Sequence, residues 1–73
     1  MSIHWHYQIM RHLTDKGETY YAMHEYYPMA DGDGWTQDPV SIDGESLGDI
    51  VWMLKAMLND IEKHGVKDYE AEP

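Results

Sequence analysis

The stretch GESLGDIVWMLKAMLNDIEKHG, residues 44–65, decides the fold class. Within it Leu47, Ile50, Val51, Leu54, Met57, Leu58 and Ile61 recur at three- and four-residue steps, which draws one apolar stripe along a helix. Ser46 followed by Asp49 resembles a capping box, the signature of a helix start. Lys63 and His64 suit the negative end of a helix, and Gly65 suits the residue just beyond it. The spacing therefore predicts a helix over 47–63, with Leu54 mid-stripe in the core. An Asp at position 54 is expected to unfold the domain by burying an unpaired charge. Trp52 and Met53 flank the stripe and serve either to widen the core or to mark a partner-binding surface.

Upstream of the helix the periodicity changes from helical to alternating. Residues 4–13 place Trp5, Tyr7, Ile9 and Arg11 on one side and His4, His6, Gln8, Met10 and His12 on the other, as a half-buried strand does. Thr14-Asp15-Lys16-Gly17 supplies turn chemistry, so a hairpin is expected. Residues 18–27 form the second strand, with Tyr21, Met23, Glu25 and Tyr27 opposite Tyr20, Ala22, His24 and Tyr26. Asp31-Gly32-Asp33-Gly34 is turn-like, and residues 35–42 resume extended character with Pro39 at an edge or bulge. The expectation is an α+β fold of β-β-β-α order: a three-stranded antiparallel sheet packed against one C-terminal helix, two layers in all. Its inner face carries Tyr7, Ile9, Tyr21, Met23, Tyr27 and Trp35. Residues 1–65 make a single domain and 66–73 a flexible acidic tail.

Composition bounds the function. A 73-residue chain buries only about 60% of its unfolded surface, too little for a deep enclosed site. The absence of cysteine excludes disulfides, thiolate zinc sites and thiol catalysis, which leaves packing and self-association as sources of stability. The first residues carry neither a signal-peptide pattern nor a membrane span, so a cytoplasmic location is expected. Fourteen Asp and Glu against five Lys and Arg give a formal charge of -9, which argues against direct nucleic-acid binding. No Lys or Arg occurs from Gly17 to Leu54, while Glu18, Glu25, Asp31, Asp33, Asp38, Asp43, Glu45 and Asp49 do. Asp31, Asp33, Asp38, Asp43 and Glu45 lie between the second strand and the helix, and they are the candidate partner-binding residues.

Other constellations point less far. His4, His6 and His12 share one strand face, and His24 can sit opposite them, so imidazoles could converge on a metal ion. A solvated polar sheet face accounts for them as well, and no metal site or cofactor is assigned. Asp31-Gly32-Asp33-Gly34 lacks the bidentate Glu of a calcium loop, Ile42 standing at that spacing. His24 and Glu25 are adjacent on a strand and so point to opposite faces, where they cannot act as an acid–base pair. No phosphate loop or serine elbow occurs, and the chain is not expected to be an enzyme.

Trp5, Tyr7 and Ile9 before Arg11-His12, the run YYAMHEYY, Thr36-Gln37-Asp38-Pro39-Val40 and Gly44-Glu45-Ser46 together resemble a family of short uncharacterised bacterial and phage proteins. The likeness covers residues 5–62 and implies a fold, not an activity. The strand order and the Gly-Glu-Ser opening are also similar, in topology, to HicB-type antitoxin domains. The functional expectation is a non-enzymatic binding module, homodimeric, that regulates or inhibits a protein partner, one with a basic groove being the best match. Two other classes stay open: an acidic nucleic-acid mimic that inhibits a host defence nuclease complex, and a His-based metal-binding protein.

Overall fold

A computed structural model of the chain describes residues 4–29 and 32–69. Along it run β1 (His6–Leu13), β2 (Thr19–Tyr27), β3 (Gly34–Trp35), α1 (Leu47–His64) and β4 (Val66–Asp68). The sheet order is β3-β2-β1-β4; β2 is antiparallel to both of its neighbours, while β4 runs parallel to β1. The class is α+β as expected, but the sheet is mixed and has four strands. Val66–Asp68, expected to be part of a flexible tail, pairs with Ile9–Arg11 and adds an Arg11–Asp68 ion pair at 2.5 Å. The cause is the edge of β1, whose free backbone groups take up the chain as it leaves the helix.

The hairpin forms where its turn residues stand. Thr14 N–H donates to the Glu18 carbonyl, Gly17 N–H donates to the Thr14 carbonyl, and Gly17 takes a φ of +83°, which glycine adopts without steric cost. The third strand is shorter than the expected 35–42. Beyond Trp35 the backbone reaches β2 through Thr36 N–H and Val40 N–H, at the carbonyls of Glu25 and Met23, while Thr36 Oγ1 accepts from Glu25 N–H; Pro39 between them has no N–H to give.

Strand parity is as read, but the interior is not confined to the expected face. Register sets His6 against Tyr26, Gln8 against His24 and Met10 against Ala22, all on one face, and Gln8, Met10 and His24 are fully buried there. Trp35, assigned to the other face, belongs to this one: it pairs with Tyr26 and stacks on its ring at 5.5 Å. On the expected inner face Tyr7 is buried, Ile9, Met23 and Tyr27 are half-buried, and Tyr21 is exposed. Since a parallel crossover is right-handed, the path from β3 to β4 lays α1 over this Tyr7 side. Asp60 Oδ2 there accepts from Tyr7 N–H at 2.9 Å.

The helix begins as its sequence dictates. Ser46 Oγ accepts from Asp49 N–H, and Asp49 Oδ2 accepts from Glu45 N–H. Gly44 is required by this arrangement, because a Cβ there would meet Asp49 Cβ at 2.7 Å. The apolar stripe then divides. Met57 is buried and Ile50, Met53 and Ile61 are half-buried, whereas Leu47, Val51, Leu54 and Leu58 are 78, 41, 47 and 58% exposed. Leu54 is therefore not a core residue; a stripe this wide exceeds what the narrow sheet beneath it can cover. Among the described residues no helix is long and apolar enough to cross a membrane.

Candidate functional site

Among the described residues, a buried histidine pair stands on the sheet face opposite Tyr7. His12 and His24 stand diagonally across β1 and β2, with Met10 and the small Ala22 between them, and their Nε2 atoms meet at 2.8 Å. His24 Nδ1 lies 2.8 Å from the Thr36 carbonyl. A carbonyl only accepts, so His24 carries its proton on Nδ1, and in the neutral ring Nε2 is left as an acceptor. His12 must then donate from Nε2. Geometry fixes both tautomers, and only one strong hydrogen bond spans the pair.

Aromatic rings roof this bond. Tyr20 and Tyr69 both stack on His12, at 4.8 and 4.4 Å, and Tyr69 also leans on His24 and Trp35. Sequence reasoning missed Tyr69, because it sits just past the short β4 that no periodicity announced. A second cluster closes the other end of the face. His6 stacks on His64 at 3.6 Å and donates to Gln8 Oε1, while Gln8 Nε2 donates to the Ile9 and Gly65 carbonyls. Gln8 thus ties β1 to the end of α1, and among the described residues no buried side-chain polar atom lacks a partner. The expected solvated polar face is a buried, satisfied one.

Burial pushes the His24 pKa below its ordinary value; the Thr36 carbonyl opposes this, His12 reinforces it and Asp38 opposes it. Burial likewise lowers His64, with His6, Lys63 and Lys67 adding to the effect and Asp60 opposing it. A folded-state pKa below the unfolded one means that the unfolded chain binds more protons, so stability is complete above about pH 6.5 and falls as pH drops through the lowered values. The thermal midpoint should therefore decline on acidification from neutrality. A midpoint that is flat or rises from pH 7 to 5.5 in calorimetry would contradict this arrangement.

The His12–His24 pair offers two of the three or four ligands that a zinc site takes. His4 is exposed and His6 is engaged with Gln8 and His64, so neither joins them. Among the described residues no group of three or more His, Cys, Asp or Glu could hold an ion. Glu25 bonds the Tyr27 hydroxyl, on the face opposite its neighbour His24, as strand parity requires.

No protein-family model matches the chain, and no curated protein or solved structure shows significant similarity to it.

The candidate partner-binding acids divide. Asp31 lies outside the described residues. Asp33, read as part of a turn and as a partner-binding candidate, accepts from the Tyr26 hydroxyl at 2.6 Å and from Met29 N–H, and the Tyr26 bond above all lowers its pKa. It ties Met29 and the end of β2 together. Asp38, Asp43 and Glu45 are exposed along the segment that leads from β3 to α1.

Proposed function

We propose that this chain is a small, non-enzymatic binding module that regulates or inhibits a protein partner, meeting it through the acidic rim of Asp38, Asp43 and Glu45, and that it works as a homodimer in the cytoplasm. One observation carries the reading: these carboxylates are exposed in a stretch where no Lys or Arg occurs from Gly17 to Leu54. A rim of one sign attracts a basic groove and speeds encounter. The buried polar cluster supports the non-enzymatic part, because the His12–His24 bond already occupies both Nε2 atoms and the Thr36 carbonyl occupies His24 Nδ1.

The test is capture of the partner followed by association kinetics across a salt series. The combined Asp38→Asn, Asp43→Asn and Glu45→Gln variant should associate about tenfold more slowly at low salt and show a shallower salt dependence. The wild-type rate should fall as the screening length drops below about 8 Å. An unchanged rate and salt slope would remove the rim from the contact. The same rim fits the narrower reading of a nucleic-acid mimic, which capture of a nuclease complex would select.

A further inference from the structure

We propose that β4 is an acid-released latch: protonation of the histidine clusters at its two ends lifts residues 65–69 from the edge of β1, while the β1–β2 hairpin stays paired. The acidic rim takes no part in it. β4 has little hold of its own, since its three residues are all exposed and its ladder covers only Ile9–Arg11. The Arg11–Asp68 ion pair is about half exposed on both sides, where such pairs contribute little. β1 and β2, by contrast, pair along the whole of β1, from His6 to Leu13.

What fastens β4 stands at its ends. Before it, His64 stacks on His6 at 3.6 Å and the Gly65 carbonyl accepts from Gln8 Nε2; after it, Tyr69 lies on His12 and His24. Both ends suit neutral rings. His24 is fully buried, and the Thr36 carbonyl takes its Nδ1–H, so an added proton enters at Nε2, on the side of His12. The pair can pass that proton across, but the charge stays beneath Tyr69 and out of water, where burial disfavours it. Asp38 is the carboxylate that favours a charged His24, and it is exposed. Of the two rings stacked on His12, Tyr20 belongs to β2 and Tyr69 to the segment after β4. Tyr69 is therefore the cover that can lift without breaking the hairpin. Its hydroxyl reaches the Gln37 carbonyl at 3.4 Å, a long and weak bond.

At the other end the surrounding charges balance. Lys63 and Lys67 oppose a charged His64 and Asp60 favours it, while Asp33 acts on His6 and Lys67 stands over the ring of Tyr26, the remaining neighbour of His6. No surplus of carboxylate offsets the repulsion between two imidazolium rings at stacking distance. Linkage fixes the sign. Opening lets buried rings charge as in the unfolded chain, so the opening constant is level above about pH 6.5 and rises below it, by up to about tenfold per pH unit for each proton taken up, until the lowered values are passed. What opens is a row of backbone groups on β1, and a bare sheet edge is a template for another strand.

Alternation along β1 supplies the probe. Tyr7 N–H points away from β2 to Asp60, so the Ile9 and Arg11 amides turn the same way, toward β4, and those of Gln8 and Met10 turn toward β2. Residue-resolved hydrogen exchange on the intact chain, at about pH 7.5 and about pH 5.5, compares the two sets. Ile9 and Arg11 should be the less protected at both, and their protection, corrected for intrinsic exchange, should fall about tenfold or more on acidification. Tyr69→Ala should cause a similar loss at the higher pH, with Gln8 and Met10 little changed. His64→Gln, at an exposed site, should make the acid-induced fall shallower. Equal protection of the two sets at both pH values would mean that β4 leaves only when the whole chain unfolds, and would overturn the latch. So would protection at Ile9 and Arg11 that ignores pH or survives Tyr69→Ala. A slope that His64→Gln leaves unmoved would overturn the two-ended form by taking the His6–His64 stack out of it.

Discussion

Met57→Asp is expected to abolish the cooperative thermal transition that Leu54→Asp retains. Both residues lie on the same helix and on the same apolar pattern, three positions apart, yet Met57 is buried against the sheet and Leu54 is about half exposed. A carboxylate at position 57 has no basic partner in the core and costs several kcal/mol even after relaxation. At about 0.05 to 0.15 kcal/mol per residue a domain of this length holds roughly 4 to 11 kcal/mol in total, so the cost consumes most of it. At position 54 the carboxylate remains in water, so the fold keeps its core. Circular dichroism melts of the two variants decide the matter. A Met57→Asp midpoint within a few degrees of wild type would show that the buried and exposed lines of α1 have been exchanged.

The second large effect is expected at His24. Truncation to Ala leaves the Thr36 carbonyl and the His12 Nε2–H without their partners in a region where His24 itself is fully buried, and it opens a void beneath Tyr69. Unpaired groups cost about 1 to 3 kcal/mol, and the void adds to that, so a loss of about 3 kcal/mol is expected. In a domain of this size that lowers the midpoint by about 15 °C. His24→Ala should also flatten the acid dependence of stability, since the titrating group that opposes charging is gone. Tyr21→Ala, on an exposed ring of the same strand, serves as the comparison and should shift the midpoint little. Equal shifts for the two would mean that the histidine face is not interior.

Much of the fold was legible because it is local. Ser46 and Asp49 announce the helix start with a bond that closes within three residues, and Thr14 to Gly17 close the hairpin in the same way. What escaped the sequence is non-local. Alternation along β1 and β2 sorts side chains into two faces but does not say which face is closed, and the histidines and Gln8 were placed in water because polar residues usually are. They are buried instead because each finds a partner at long range, such as the Gly65 carbonyl for Gln8. Val66–Asp68 shows no alternation to read in three residues; it becomes a strand only because β1 offers an edge. Leu54 was misplaced for a related reason. The heptad-like spacing shows that a stripe exists, not how much of it one small sheet can cover. Of the acidic rim, the exposure of Asp38, Asp43 and Glu45 was legible, whereas the service of Asp33 to Tyr26 depends on a fold-back that no spacing predicts.

The division between a closed histidine face and an open rim and helix rests on the His12–His24 bond. The most direct measurement is the long-range proton–nitrogen correlation spectrum of the imidazoles, taken about one unit above the ordinary histidine pKa. The predicted result is His24 protonated at Nδ1 and bare at Nε2, His12 protonated at Nε2, and a slowly exchanging proton shared across the pair. Two rapidly exchanging, tautomer-averaged rings would contradict it, and would return this face to the solvent.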